Sequence, residues 1–131
     1  MKEVLDFLQT NKVFFMATVD GDNPKVRPLG FVMEYEGKIY FGVGEQKEVY
    51  RQMKANPKVE ICSVNQEGRW LRLRGAAQFD ARPELFAAAV RALPVLAEMY
   101  PAGGPKLGVF HLQPAEAVFY DMQGNTKIIK L

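Results

Sequence analysis

KVRPLGF, residues Lys25–Phe31, has the alternating look of a β-strand with a proline set inside it. Proline has no N–H to give to a sheet ladder. Pro28 therefore belongs on an edge, at a bulge, or where something other than a strand meets the backbone. The flanking stretches decide what fold surrounds it. Upstream, KVFFMATV (Lys12–Val19) is β-branched and aromatic, and DGDNP (Asp20–Pro24) supplies turn chemistry. This predicts a hairpin whose returning strand is KVRPLGFVM. Downstream, EYEG (Glu34–Gly37) predicts a second turn and KIYFGV (Lys38–Val43) a third strand lying beside KVRPLGF in a meander.

Working outward, Val4, Leu5, Phe7 and Leu8 recur at helical spacing, which predicts a short amphipathic helix over Glu3–Thr10. After Gly44, EQKEVYRQMKAN puts Val49, Tyr50 and Met53 on one helical face and stops at Asn56-Pro57. VEICSV (Val59–Val64) and RWLRLRGAAQF (Arg69–Phe79) flank the turn NQEG as another antiparallel pair. Pro83 opens the alanine-rich helix ELFAAAVRAL, and Pro94–Tyr100 adds a shorter one. LGVFHLQP, AEAVFYDM and TKIIKL close the chain in β-structure. Short antiparallel strands without alternating βα units predict a mainly β protein with flanking α (α+β). The expected architecture is one domain over residues 1–131, an antiparallel barrel of about six to eight strands with three to four helices outside it.

A net charge of +2, from 17 basic and 15 acidic residues, lacks the basic excess of a nucleic-acid binder. No apolar run reaches the roughly 18 residues of a membrane span, and MKEVLDFLQT carries acids where a signal peptide is basic, so the expectation is a cytoplasmic protein. The lone Cys62 reads as a small buried hydrophobe. The lone His111, in VFHLQ, reads as structural or interfacial, since no carboxylate at a motif spacing orients it. No metal-ligand cluster is present in the sequence, and no dedicated catalytic residue is assigned.

GVGEQKEVY (Gly42–Tyr50) passes from a strand end through a glycine turn into a helix. The free N–H groups and dipole of a helix opening favour an anion, and Lys47 adds a mobile positive charge there. The plainer alternative is a solvated lysine beside Glu48. Neither GK[ST] nor GxGxxG is present, so this is no nucleotide-triphosphate loop. If Arg27 faces the same helix opening, two cations converge on one anion, and the Pro28–Gly30 backbone is left as a shelf for a flat heterocycle. The alternative is an ordinary edge bulge. WLRLRGA alternates, with Trp70, Arg72, Arg74 and Ala76 on one face and Leu71, Leu73 and Gly75 on the other, so the leucines belong to the core. The Trp and Arg face suits either an interface or a solvated exterior.

The ordered set VRPLGF, KIYFGVG, KEVYRQMKANPKVEIC, WLRLRGAAQF and FHLQPAEAVFYD resembles the pyridoxamine 5'-phosphate oxidase-like flavoproteins, in particular small bacterial proteins near the nitroimidazole-resistance branch. The resemblance covers nearly the whole chain. It implies a split β-barrel homodimer with FMN in two clefts at the subunit interface. It further implies Arg27 and Lys47 near the phosphate and ribityl chain, Pro28, Leu29 and Gly30 along the ring, Phe41, Gly42, Val43 and Gly44 at the cleft floor, and Trp70 from the partner chain. Relatives often carry Ser or Thr in the turn where this chain has Val43-Gly44-Glu45. The implied function is that of an FMN-dependent oxidoreductase on a nitro compound, a quinone or flavin, with NADH or NADPH as donor. The alternative is a non-catalytic flavin or haem carrier or sensor. TKIIKL offers only Lys127 and Lys130, too few bases for the second phosphate of a pyridoxamine substrate.

Overall fold

The computed structural model describes all 131 residues. In chain order the elements are α1 (Lys2–Asn11), β1 (Phe14–Asp20), β2 (Asn23–Leu29), β3 (Val32–Tyr35), β4 (Lys38–Gly44), α2 (Glu48–Ala55), β5 (Lys58–Val64) and β6 (Trp70–Phe79). There follow α3 (Pro83–Ala92), α4 (Leu96–Met99), β7 (Leu107–Tyr120) and β8 (Thr126–Lys130). All strand pairs are antiparallel, in one open sheet of order β2-β1-β5-β6-β7-β4-β3 with β8 alongside β7. This is a split barrel: the sheet curls around a core without closing. No helix is long and apolar enough to cross a membrane.

The meander expected around Pro28 is corrected. KVRPLGFVM is two strands, with β2 ending at Leu29 and β3 starting at Val32. β2 pairs only with β1, Phe15 facing Pro28, whereas β3 and not β2 pairs with β4. The physical reason lies in the prolines and in Gly30. Pro24 and Pro28 are four residues apart and present the same side of the strand, and a strand that withholds its N–H groups on that side must leave it unpaired. β2 is accordingly an end strand. The chain reverses across Glu36-Gly37, where both residues have positive φ (50° and 75°), as a two-residue hairpin demands.

β7 is a single strand of 14 residues, although Pro114 divides its sequence into two apparent strands. Its first part pairs with β4 (Phe41↔Phe110 to Gly44↔Leu107) and its last part with β8 (Glu116↔Lys130 to Tyr120↔Thr126). Pro114 falls where β7 exchanges one partner for the other, so its missing N–H interrupts neither ladder. Opposite it, the β6 register shifts between Gly75 and Ala77.

The core follows from alternation. Phe14, Met16 and Thr18 of β1, Ile61 and Ser63 of β5, and Leu71 and Leu73 of β6 point inward. There Phe41 packs between Phe14 and Phe110, with ring centroids 5.7 and 5.6 Å apart, and Val4 and Leu8 of α1 close one end. A second cluster, built from Leu85 and Ala89 of α3, Leu96 and Tyr100, covers the other face of β3 and β4 at Met33 and Tyr40. β4 is thus buried on both faces, which explains its nearly continuous apolar run. Because Ile61 and Ser63 take the inward phase, Cys62 faces out and is exposed, contrary to the buried position expected for it. Desolvation by its neighbours still pushes the thiol pKa up.

A Cβ added at Gly75 would run into the carbonyl oxygen of Pro114 and come within 2.9 Å of the Leu112 Cβ. Gly75→Ala therefore forces β6 and β7 apart at the register shift, and it should cost about 1–3 kcal/mol, read as a lower urea midpoint at unchanged slope. An unchanged midpoint contradicts this close approach.

Candidate functional site

Register fixes which way β2 points its side chains. Arg27 faces Met16 and Leu29 faces Phe14, both inward residues, so Arg27 and Leu29 also turn inward while Val26 and Pro28 turn out. Arg27 finds three acceptors there. Its Nη1 donates to the Met16 carbonyl oxygen (3.0 Å) and to Thr18 Oγ1 (2.8 Å), and its Nη2 donates to Gln52 Oε1 (2.8 Å). Thr18 Oγ1 in turn donates to the same Gln52 oxygen (2.6 Å). Thr18 and Gln52 are 2% and 5% exposed. Burial lowers the Arg27 pKa from its ordinary value, but the guanidinium remains charged. Buried polar groups of this kind are costly unless paired, and here each is answered by another.

Gln52 lies on α2, so this network joins the β1–β2 hairpin to the helix whose opening carries Lys47. The strand that carries Pro28 is thereby tied to the middle of that helix. Lys47 is exposed, caps α2 with extended backbone, and makes no ion pair. The nearby Glu48 carboxylate is held instead by Arg51 (2.6 Å), which also reaches Asp20 (3.1 Å). Two of the turn's backbone donors are consumed within the chain: Glu45 N–H donates to Lys106 O (2.8 Å) and Lys47 N–H to Gly44 O (3.1 Å). Helix geometry leaves the first-turn N–H groups of Glu48 and Val49 without intrahelical acceptors. Glu45 is exposed beside them.

The other expected site residues are distributed as follows. Pro28 and Gly30 are exposed on and just beyond the open side of β2, whereas the Leu29 side chain packs against the core. Phe41 and Val43 are 1% and 4% exposed inside the barrel, so their side chains do not line an open cleft. Gly42 and Gly44 offer backbone only, and a Cβ at Gly42 would meet Leu107 at 2.8 Å. Trp70 is stacked on Tyr120 (5.3 Å between centroids, 14° between planes), three strands from β2 and on the outer face. One protomer does not bring Trp70 to Arg27 or Lys47. Thr18 and Gln52 escaped the sequence reading. Their signal was present: each is a polar residue at an inward phase, Thr18 after Phe14 and Met16, Gln52 between Val49 and Met53.

The outer face of the sheet is unusual for a monomer. Cross-strand register sets Pro28, Phe15, Cys62, Arg72, Val118 and Ile128 in one row. Phe15, Val26, Val64 and Ile128 are between 50% and 68% exposed. A neighbouring row carries charges paired across strands, Arg74 with Glu116 (2.5 Å) and Lys130 with Glu116 (2.9 Å), while Arg72 bridges to Glu60 (2.5 Å). These partners hold the Glu116 carboxyl below its usual range. A shallow concavity of about 710 Å³ lies over this charged row, bordered by Pro24, Ala17, Lys58 and Ala76. His111 sits edge-on to Tyr40 (5.4 Å) with Nε2 3.2 Å from Gln113 Oε1, and no group of His, Cys, Asp and Glu is arranged to hold a metal ion.

Comparison with known proteins matches this architecture. The sequence model of the family described as Pyridoxamine 5'-phosphate oxidase matches residues 1–121. No curated protein sequence matches. The crystal structure of a NimC/NimA family protein from Clostridium acetobutylicum is 39% identical, covers all of this chain and 92% of its own, and superposes with a TM-score of 0.93. A pyridoxamine 5'-phosphate oxidase-related, FMN-binding protein from Nostoc punctiforme shares the fold at 15% identity, covering 99% of this chain and 93% of that one (TM-score 0.67). A haem-binding protein from Mycobacterium smegmatis does so at 18% identity, covering 98% of this chain and 56% of that one (TM-score 0.74). With the matched segment spanning nearly the full length, this chain belongs to the pyridoxamine 5'-phosphate oxidase family.

Proposed function

We propose that this protein binds FMN as a cytoplasmic homodimer and acts as an oxidoreductase on a small molecule, a nitro compound, a quinone or free flavin, with NADH or NADPH as electron donor. The observation that carries the reading is the hydrogen bond from Arg27 Nη2 to Gln52 Oε1, which ties β2 to the helix that Lys47 opens. The donor set there fits a flavin mononucleotide. A strand side freed by two prolines offers backbone to a planar ring, and an unpaired lysine with first-turn N–H groups offers charge and donors to a phosphate monoester. The FMN-binding relative from Nostoc punctiforme supports the same assignment.

Bound FMN would supply the electron-transfer chemistry; the chain's part is binding, orientation and exclusion of water. Lys47 would neutralise the phosphate, the Pro28–Gly30 backbone would lie along the ring edge, and the first turn of α2 would complete the phosphate contacts. Lys47 lines neither the 710 Å³ concavity nor the 610 Å³ slot between β4 and β8. A second copy laid on the outer face at Phe15 and Ile128 would cover that surface and supply Trp70. The haem alternative is less favoured, because the only histidine is packed against Tyr40 and Gln113.

Purified protein should be yellow or turn yellow with FMN, and anaerobic NADH or NADPH should bleach it; flavin that binds and stays oxidised under both donors returns the carrier reading. Lys47→Ala should weaken FMN binding about tenfold or more in a calorimetric titration, the range for one charge-assisted hydrogen bond. Glu45→Ser removes the opposing carboxylate and should tighten it a few-fold. Phe15→Glu should sediment as a monomer and lose FMN together with the dimer, whereas a variant that stays dimeric places the interface elsewhere.

A further inference from the structure

Arg27 is the residue that looks most like a phosphate clamp, yet its hydrogen bonds are turned into the protein. Nη1 and Nη2 together serve the Met16 carbonyl, Thr18 and Gln52, on β1 and α2, and Thr18 binds the same Gln52 oxygen. Gln52 Oε1 therefore accepts two hydrogen bonds at 2.6 and 2.8 Å inside an almost solvent-free region. Only a planar fork reaches these acceptors at once, because a lysine ammonium is a single point on a flexible stem. At the other end of the same helix segment, five residues earlier, Lys47 starts α2 without any side-chain cap of its own. The three buried residues of α2 hold it to the sheet, Gln52 through this network and Val49 and Met53 through the core.

We infer that Arg27, Thr18 and Gln52 form a positioning unit. Arg27 acts through Gln52 to fix where the first turn of α2 and Lys47 meet the phosphate, and it is not itself the phosphate ligand. The inference rests on the FMN reading above for its ligand. Its consequence is specific to the phosphate end of the flavin: loosening α2 should cost FMN affinity and leave riboflavin, which has the same ring and no phosphate, nearly unaffected.

The test compares FMN and riboflavin affinities, by quenching of flavin fluorescence, in Thr18→Val, Gln52→Leu, Arg27→Lys and the wild type. The expected result is that the preference for FMN over riboflavin falls about tenfold in all three variants, with Arg27→Lys no better than the others despite its charge, and that the double variant Arg27→Lys/Gln52→Leu is no worse than either single one. An FMN preference retained in Thr18→Val and Gln52→Leu but lost in Arg27 variants makes Arg27 a direct ligand and overturns the inference. Equal loss of both flavins, or a change in thermal midpoint alone, overturns it too, since a merely structural network weakens both ligands together. If the wild type binds neither flavin, the FMN reading itself falls. Hydrogen exchange of the α2 amides, Tyr50–Ala55, then decides the network: faster exchange in Gln52→Leu and Arg27→Lys supports the fastening, and unchanged exchange refutes it.

Discussion

A half-buried guanidinium shared by three acceptors is the fastening on which this end of the molecule depends. β2 has only one strand neighbour, and its far side is stripped of donors at Pro24 and Pro28, so the ladder with β1 alone would hold it weakly. Arg27 reaches through the hairpin to the Met16 carbonyl and Thr18, and across to Gln52, converting the end strand and α2 into one unit. Removing any single member would strand polar atoms in a region where Thr18 is 2% exposed, which is far costlier than the net worth of one hydrogen bond. β2 and α2 are thereby tied together at Arg27 and Gln52.

The sheet is used unequally. β4 is covered on both faces, by the Phe14–Phe41–Phe110 stack within and by α3 and α4 without. β2, β1, β5, β6, β8 and the second half of β7 are covered only within. Their outer surface combines scattered exposed apolar side chains, Phe15, Val26, Val64 and Ile128, with the ion pairs Arg72–Glu60, Arg74–Glu116 and Lys130–Glu116. Such exposed pairs contribute little to stability, but they fix side-chain directions on a surface that a second copy is proposed to cover. The proposed assembly also accounts for Trp70, which one chain holds against Tyr120 on the opposite face from Arg27.

Much of this was legible in the sequence, and the misreadings share a cause. Elements with a strong internal period, α1, β6 and α3, were placed to within about a residue, α2 starts three residues later than EQKEVYRQMKAN suggested, and the alternation of WLRLRGA put Leu71 and Leu73 inside as expected. Strand partners were not legible, because pairing depends on where a ladder is broken, not on local propensity. Thus KVRPLGFVM read as one strand although its ladder with β1 ends at Leu29, before Gly30, and β7 read as two although Pro114 only marks a change of partner. Cys62 was set on the wrong face because an apolar run in a strand does not state its phase. At the candidate site the resemblance drew attention to Arg27 and Lys47, whereas Thr18 and Gln52 passed as ordinary residues, their meaning visible only once β1 and α2 were known to touch.

The helix mouth holds opposing charges, Lys47 and Glu45, with two of the local N–H groups already engaged. The account therefore stands or falls on where a phosphate settles. A crystal structure of the protein grown with FMN measures this directly. The account predicts a dimer with the phosphate within hydrogen-bonding distance of Lys47 Nζ and the first turn of α2, the ring along Pro28–Gly30, and the Arg27 guanidinium still bound to Gln52. FMN lodged in the concavity over Arg74 and Glu116 of a single chain, or with its phosphate remote from Lys47, would contradict it.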